Sequence, residues 1–214
     1  VFLGKDVEPS PVANLPNLDV LPADRSLSGI AGEMLTNFDL QYRLRDYLKK
    51  ISKDYDFILI DTPPALGGFS TAGILAAEYF LIPLSTQYYS LKGTADLMDT
   101  LEKIKARLHP ELKFLGAVVT MRDKRTAVAN EVMGQIEKQF AEKLFKISIS
   151  RTVVIEESQV KRLPVVFTHS DHQAAREYKA LAIEVMVRLG VNLSGGLSTP
   201  PGSAADLPPS WRHA

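Results

Sequence analysis

Phe57, Ile58, Leu59 and Ile60 form an unbroken apolar run that stops at Asp61, and Thr62, Pro63 and Pro64 follow at once. Four apolar residues in succession lack the alternation of a half-exposed strand, so the run predicts a strand covered on both faces, as in a parallel sheet. Asp61 then stands at its carboxyl end. Open α/β sheets hold their ligands at that edge, where a carboxylate is placed to hold a metal directly or through water. The two prolines remove donors and confine Thr62 to extended conformations, which makes the exit from the strand stiff. A plain turn that contains an aspartate would leave the same local pattern, so the rest of the chain has to decide.

The same kind of run recurs. Tyr79 to Leu84, Phe114 to Met121 and Leu144 to Ile149 read as further strands, and the Asn17 to Ala23 stretch as a short one closed by Pro22. Between them lie helical patterns: one or two helices over Ser26 to Lys53, and a short one over Ser70 to Tyr79 with Ser70 or Thr71 able to cap it. A helix over Leu91 to Leu108 carries Leu97, Met98, Leu101, Ile104 and Leu108 on one face. Another runs from about Thr126 to Leu144, with Val128, Val132, Ile136 and Phe140 recurring every four residues. The last begins near Asp171, with Ala175, Tyr178, Leu181, Ala182, Val185 and Leu189 facing inward, and stops at Gly190. Strands alternating with helices imply right-handed crossovers. The expected fold is α/β, a mainly parallel sheet flanked by helices on both faces. The boundaries expected are one domain over 1–190 and a Pro/Gly/Ser-rich disordered tail over 191–214.

Lys plus Arg equals Asp plus Glu at 25 each, so any nucleic-acid contact must come from a local patch of charge. The chain has no cysteine, which excludes disulfides and thiolate metal sites and leaves the cytoplasm as the expected compartment. Apolar runs are too short for a membrane span. His109, His169, His172 and His213 show no metal-site spacing and read as surface or capping residues. The chain opens on Val1, as though within a longer sequence, which suggests a fragment or a processed product.

Four stretches in order, "DYDFILIDTPPALG", "LIPLSTQYYSLKG", "VVTMRDKRT" and "ISRTVVIEESQVKRLPVVF", resemble the ParA and Soj partition ATPases, which are related to MinD. The resemblance covers about Asn17 to Gly190. It implies a deviant P-loop NTPase-like fold, with ATP and Mg2+ as cofactors. Asp61 becomes the Walker B residue, supporting magnesium through its water shell, and Thr62, Pro63 and Pro64 begin a nucleotide-sensing switch. Tyr88 and Tyr89 are expected to pack beneath that switch. Arg125 matches an arginine used for sequence-nonspecific DNA binding, with Lys124, Arg122, Arg151, Lys161 and Arg162 as further members of the patch. Met121 and Ser150 match the adenine region.

Two departures accompany the resemblance. Where the family often reads Pro-Arg-Asn-Val-Arg, this chain has Ser150, Arg151, Thr152, Val153 and Val154. One phosphate contact is lost at Val154, and Ser150 replaces the proline that lines the adenine pocket. The glycine-rich phosphate loop with its lysine is also missing from the 214 residues. The family's N-terminal βα units are therefore expected to be absent, and the chain by itself is not expected to hydrolyse ATP. The implied partners are a second copy in an ATP-bound homodimer, nonspecific DNA on the nucleoid and a ParB-like centromere-binding protein. A MinD-like spatial regulator and a noncatalytic interaction module are the alternatives. The first is disfavoured by a proline-rich tail that cannot form a membrane-binding amphipathic helix.

Overall fold

The computed structural model describes residues 1–5, 7–13, 15, 17–86, 89–123 and 126–192. Tyr88, the side chain of Tyr89, Lys124, Arg125 and the tail from 193 lie outside the described residues. The chain forms two compact units, Val1–Phe80 with Leu97–Lys113, and Leu81–Asp96 with Phe114–Ala214.

In the first unit, β1 (Ser10–Pro11) and β2 (Asp19–Val20) make a small antiparallel pair. They are followed by α1 (Glu33–Thr36), α2 (Phe38–Ile51) and α3 (Gly68–Ala76). Asn37 starts α2 by accepting from the Asp39 backbone N–H, which satisfies one of the unpaired donors of a first turn. Met34, Leu40 and Ala72 form the core, with Phe2, Ile30 and Phe69 packed on it. Phe2 and Phe69 meet edge to face at 5.5 Å, a favoured aromatic geometry. The buried Gln41 amide donates to the Met34 carbonyl at 2.7 Å, so its burial costs no lost hydrogen bond. Tyr55 donates to Asp19 at 2.7 Å and thereby ties the end of the helical stretch back to β2. That hydrogen bond, together with slight desolvation, pushes the phenol pKa up to about 12.

The segment Phe57–Ile60 is not the buried strand that its composition predicts. It belongs to no sheet among the described residues, and Leu59 is 92% exposed. An apolar run specifies extended, burial-seeking chain, but a strand also needs a neighbour to accept its hydrogen bonds, and none is paired with it here.

The second unit is built on a sheet of order β3-β4-β5, made by β3 (Tyr79–Ser85), β4 (Lys113–Arg122) and β5 (Leu144–Ser150). The sheet is parallel and flanked by helices, as the alternating sequence predicts. Of the helices that follow β3, α4 (Tyr89–Arg107) belongs to the first unit from Leu97 onward, and α5 (Ala127–Phe140), α6 (Val153–Val160), α7 (Val165–Thr168) and α8 (Gln173–Arg188) belong to the second. Thr126 caps α5 by accepting from Ala129, and Val132, Ile136 and Phe140 are buried. Val128 faces solvent instead. On α8 the buried residues are Ala174, Ala175, Ala180 and Met186, whereas Tyr178 is partly exposed. The inward face is therefore rotated from the expected one.

β5 is an edge strand, and α8 covers that edge with carboxylates. Glu184 accepts from the N–H groups of Lys146 and Ile147, and Glu177 accepts from the N–H of Ser150. Side chains thus take the place of a neighbouring strand and block edge-to-edge pairing. No helix among the described residues is long and apolar enough to cross a membrane.

Candidate functional site

Asp61 lies in the first unit on an extended, exposed segment. Two contacts hold that segment on α3. A Cβ at Gly73 would meet Thr62 Cγ2 at 2.7 Å and Ile60 Cγ2 at 3.3 Å, so only glycine permits the close approach. Ser70 does not cap α3, as its position suggested; its hydroxyl donates to the carbonyls of Pro63 at 3.2 Å and Ala65 at 2.7 Å. The Pro63–Pro64 turn is therefore stiffened by proline geometry and anchored to a helix. The outcome is a solvent-facing carboxylate at a fixed exit. A single hard oxygen donor of this kind suits a magnesium ion that keeps most of its water. No group of three or more metal-ligating side chains is assembled among the described residues.

In the second unit, Met121, Arg122, Ser150 and Arg151 come together at the carboxyl ends of β4 and β5. Arg122 is in register with Ser150, and the Arg151 N–H donates to the Arg122 carbonyl at 3.1 Å. Met121 is 58% exposed and has a φ of 51°, a left-handed conformation that costs a non-glycine residue energy. Its side chain is thus presented at the ligand-binding edge of the sheet and kept out of the core.

Ser150 is held by a carboxylate that sequence reasoning did not single out. Its N–H donates to Glu177 Oε2 and its hydroxyl to Glu177 Oε1, each at 2.7 Å, and Gln173 donates to Oε1 at 2.8 Å. Gln173, Glu177, Glu184 and Arg188 recur at spacings of four, seven and four along α8, one polar stripe on a helix face. That stripe was the available signal. It reads as a solvated face until the helix is laid on β5.

Arg151 is exposed just before α6, and Thr152 caps that helix by accepting from Val154. Lys161 and Arg162 are exposed at its other end. The eight residues of α6 lie between Arg151 and Lys161, about 12 Å of helical rise. Arg122 and Arg151 thus form one cationic site and Lys161 with Arg162 another.

The family model described as an AAA domain matches residues 5–114. The chromosome-partitioning ATPase Soj of Treponema pallidum (strain Nichols) is 36% identical over 174 residues, covering 81% of this chain and 69% of that protein. The chromosome partitioning protein ParA of Myxococcus xanthus (strain DK1622) is 33% identical over 171 residues, covering 80% of this chain and 60% of that one. Among solved structures, cobyrinic acid a,c-diamide synthase from Mycobacterium smegmatis, with a bound ATP analogue and magnesium, superposes with a TM-score of 0.63. It is 30% identical and covers 71% of this chain and 63% of that chain. This chain therefore spans between about three fifths and seven tenths of the length of these proteins.

Proposed function

Because the chain belongs to the ParA/Soj family of P-loop ATPases, we propose that it supplies the Walker B carboxylate, the switch and the DNA face of a DNA-partitioning ATPase. The observation that carries this reading is the pairing of Arg122 with Ser150 at the carboxyl edge of a parallel sheet, which sets Met121 and Arg151 on one ligand-facing rim. Phosphates require a backbone cradle and a lysine that are not among these 214 residues. Hydrolysis is therefore assigned to a polypeptide in which such a loop accompanies them.

Magnesium, when bound, would supply charge neutralisation at the nucleotide phosphates. Asp61 is the residue that would hold it, through its water shell. Thr62, Pro63 and Pro64 form the switch, joined to α3 by the Ser70 bonds to the Pro63 and Ala65 carbonyls and by the close approach of Thr62 to Gly73. Met121 packs on the purine and Ser150 borders it. Arg122, Lys124, Arg125 and Arg151 contact DNA phosphates without reading sequence, and Lys161 with Arg162 extend the footprint along α6. The working species is an ATP-bound homodimer on nucleoid DNA in the cytoplasm, released when a ParB-like partner stimulates hydrolysis.

The DNA face is tested by titrating salt against binding of nonspecific duplex to the complete gene product. Arg125→Ala is expected to weaken binding equally on unrelated sequences and to make the log–log salt slope shallower by about one unit. An unchanged slope and affinity would remove Arg125 from the interface.

A further inference from the structure

The proposed ATP and DNA chemistry leaves Glu177 of α8 without a task, yet its carboxylate sits at the carboxyl end of β5 and accepts three hydrogen bonds. Oε2 accepts from the Ser150 N–H and Oε1 from the Ser150 hydroxyl, each at 2.7 Å, and Oε1 also accepts from Gln173 at 2.8 Å. The bond to the N–H has a structural reason, because β5 is an edge strand whose amides need acceptors. The bond to the hydroxyl has no such reason: Ser150 is only partly buried, and water satisfies a hydroxyl there almost as well.

That second bond fixes the chemical character of Ser150. A serine hydroxyl carries one proton and two lone pairs, and it ordinarily rotates to donate or to accept as its neighbour requires. An ionised carboxylate only accepts, so the Ser150 proton is committed to Glu177. Toward any other group Oγ is then an acceptor. Gln173 Nε2 lies 3.5 Å from Oγ, at the outer limit of a hydrogen bond, and takes at most one of its two lone pairs. The charge-assisted bond to Glu177 also polarises the hydroxyl and strengthens Oγ as an acceptor. Ser150 is in register with Arg122, and the residue before Arg122 is Met121, which is 58% exposed on the same rim.

We infer that Ser150 is a specificity-determining residue, held as an acceptor by Glu177, and that it selects a 6-amino purine over a 6-oxo purine. The inference rests on the reading that Met121 and Ser150 border the base. A 6-amino purine presents an N–H donor at the position where a 6-oxo purine presents a carbonyl acceptor. Oγ accepts from the first, whereas the second sets lone pairs against lone pairs. Proline, which the family pattern often places here, offers neither a side-chain acceptor nor an N–H for Glu177. The departure at Ser150 thus adds a polar reader of the base, and Glu177 is the positioning residue that sets its polarity.

The test compares dissociation constants of adenosine and inosine diphosphate with magnesium, by titration calorimetry, in a polypeptide that also carries the phosphate loop. The parent should prefer adenosine diphosphate by about tenfold, the worth of one hydrogen bond gained against one repulsion avoided. Ser150→Ala should bring the two constants to within about threefold of each other. Glu177→Gln replaces one acceptor oxygen by an amide N–H and frees the Ser150 proton to turn outward. It should narrow the ratio by tightening inosine diphosphate binding, which mere loosening of α8 would not do. If that variant fails to fold, Ser150→Ala decides alone. Equal binding of both nucleotides by the parent, or a ratio that Ser150→Ala leaves intact, overturns the inference. Met121→Asn, a residue that tolerates the positive φ, separates the two levels of the claim. If it weakens adenosine diphosphate severalfold while Ser150→Ala leaves the ratio intact, the base lies at this rim and only the role of Ser150 fails. If neither substitution alters binding of either diphosphate, the base lies elsewhere and the reading of the rim fails with the inference.

Discussion

Arg188→Ala is expected to lower the stability of the second unit by about 2–3 kcal/mol, more than an exposed ion pair is worth and less than the cost of breaking a fully buried one. The guanidinium is 19% exposed and donates to Glu184, itself 16% exposed, at 2.8 Å. It also donates to the carbonyls of Leu115 and Lys143, each at 3.2 Å, and of Leu144 at 2.7 Å, and it lies 3.9 Å over the Phe145 ring. One side chain therefore joins α8 to the starts of β4 and β5. Without it, Glu184 keeps the Lys146 and Ile147 amides but loses its cation, and the carbonyls lose a charged donor. Gly116 makes the arrangement possible, because a Cβ there would lie 2.3 Å from the Lys143 carbonyl oxygen and 2.7 Å from Arg188 Nη1. Arg188→Lys should recover only part of the loss, since an ammonium cannot reproduce the planar fork. Urea unfolding with hydrogen exchange at Lys146 and Ile147 measures this. A loss below about 1 kcal/mol, typical of an exposed ion pair, would mean that the cluster does not hold the edge of the sheet.

On the proposed Walker B role, Asp61→Ala in a polypeptide that also carries the phosphate loop is expected to reduce kcat for ATP hydrolysis on the order of 100-fold or more, about 2.7 kcal/mol of transition-state stabilisation. Asp61 is exposed, and neither the Gly73 approach nor the Ser70 hydrogen bonds involve its side chain, so the variant should fold normally. Asp61→Asn preserves shape but not charge and should lose a similar amount, because the task is to hold the water shell of a dication. Asp56→Asn, an exposed aspartate five residues earlier, serves as the control and should leave the rate unchanged. Activity of Asp61→Asn within threefold of the parent would refute the Walker B assignment.

The parts of the fold legible in the sequence are those set by local burial pattern. Apolar runs located β3, β4 and β5 to within a residue or two, and the four-residue recurrence of Val132, Ile136 and Phe140 located α5. Phe57–Ile60 shows the limit of the same rule, since an apolar run says nothing about whether a partner strand is present. Helix α6 received no assignment from the sequence: Val153, Val154 and Ile155 are β-branched and weaken a helical pattern, and the Thr152 cap is evident only in the structure. In the site, the carboxyl-edge rule led to Asp61, and the resemblance to the partition ATPases led to Met121, Ser150 and Arg151. Glu177 escaped both because its bonds to Ser150 depend on the register of α8 against β5, which a one-dimensional pattern does not encode.

The most direct measurement is retention of nonspecific duplex DNA by the complete gene product with ATP and magnesium, compared with ADP and magnesium at the same salt. A partition ATPase whose nucleotide state controls its DNA face should hold the duplex with ATP and release it with ADP. Equal retention in both states, or none in either, would contradict that coupling and favour a spatial regulator or an interaction module of the same fold.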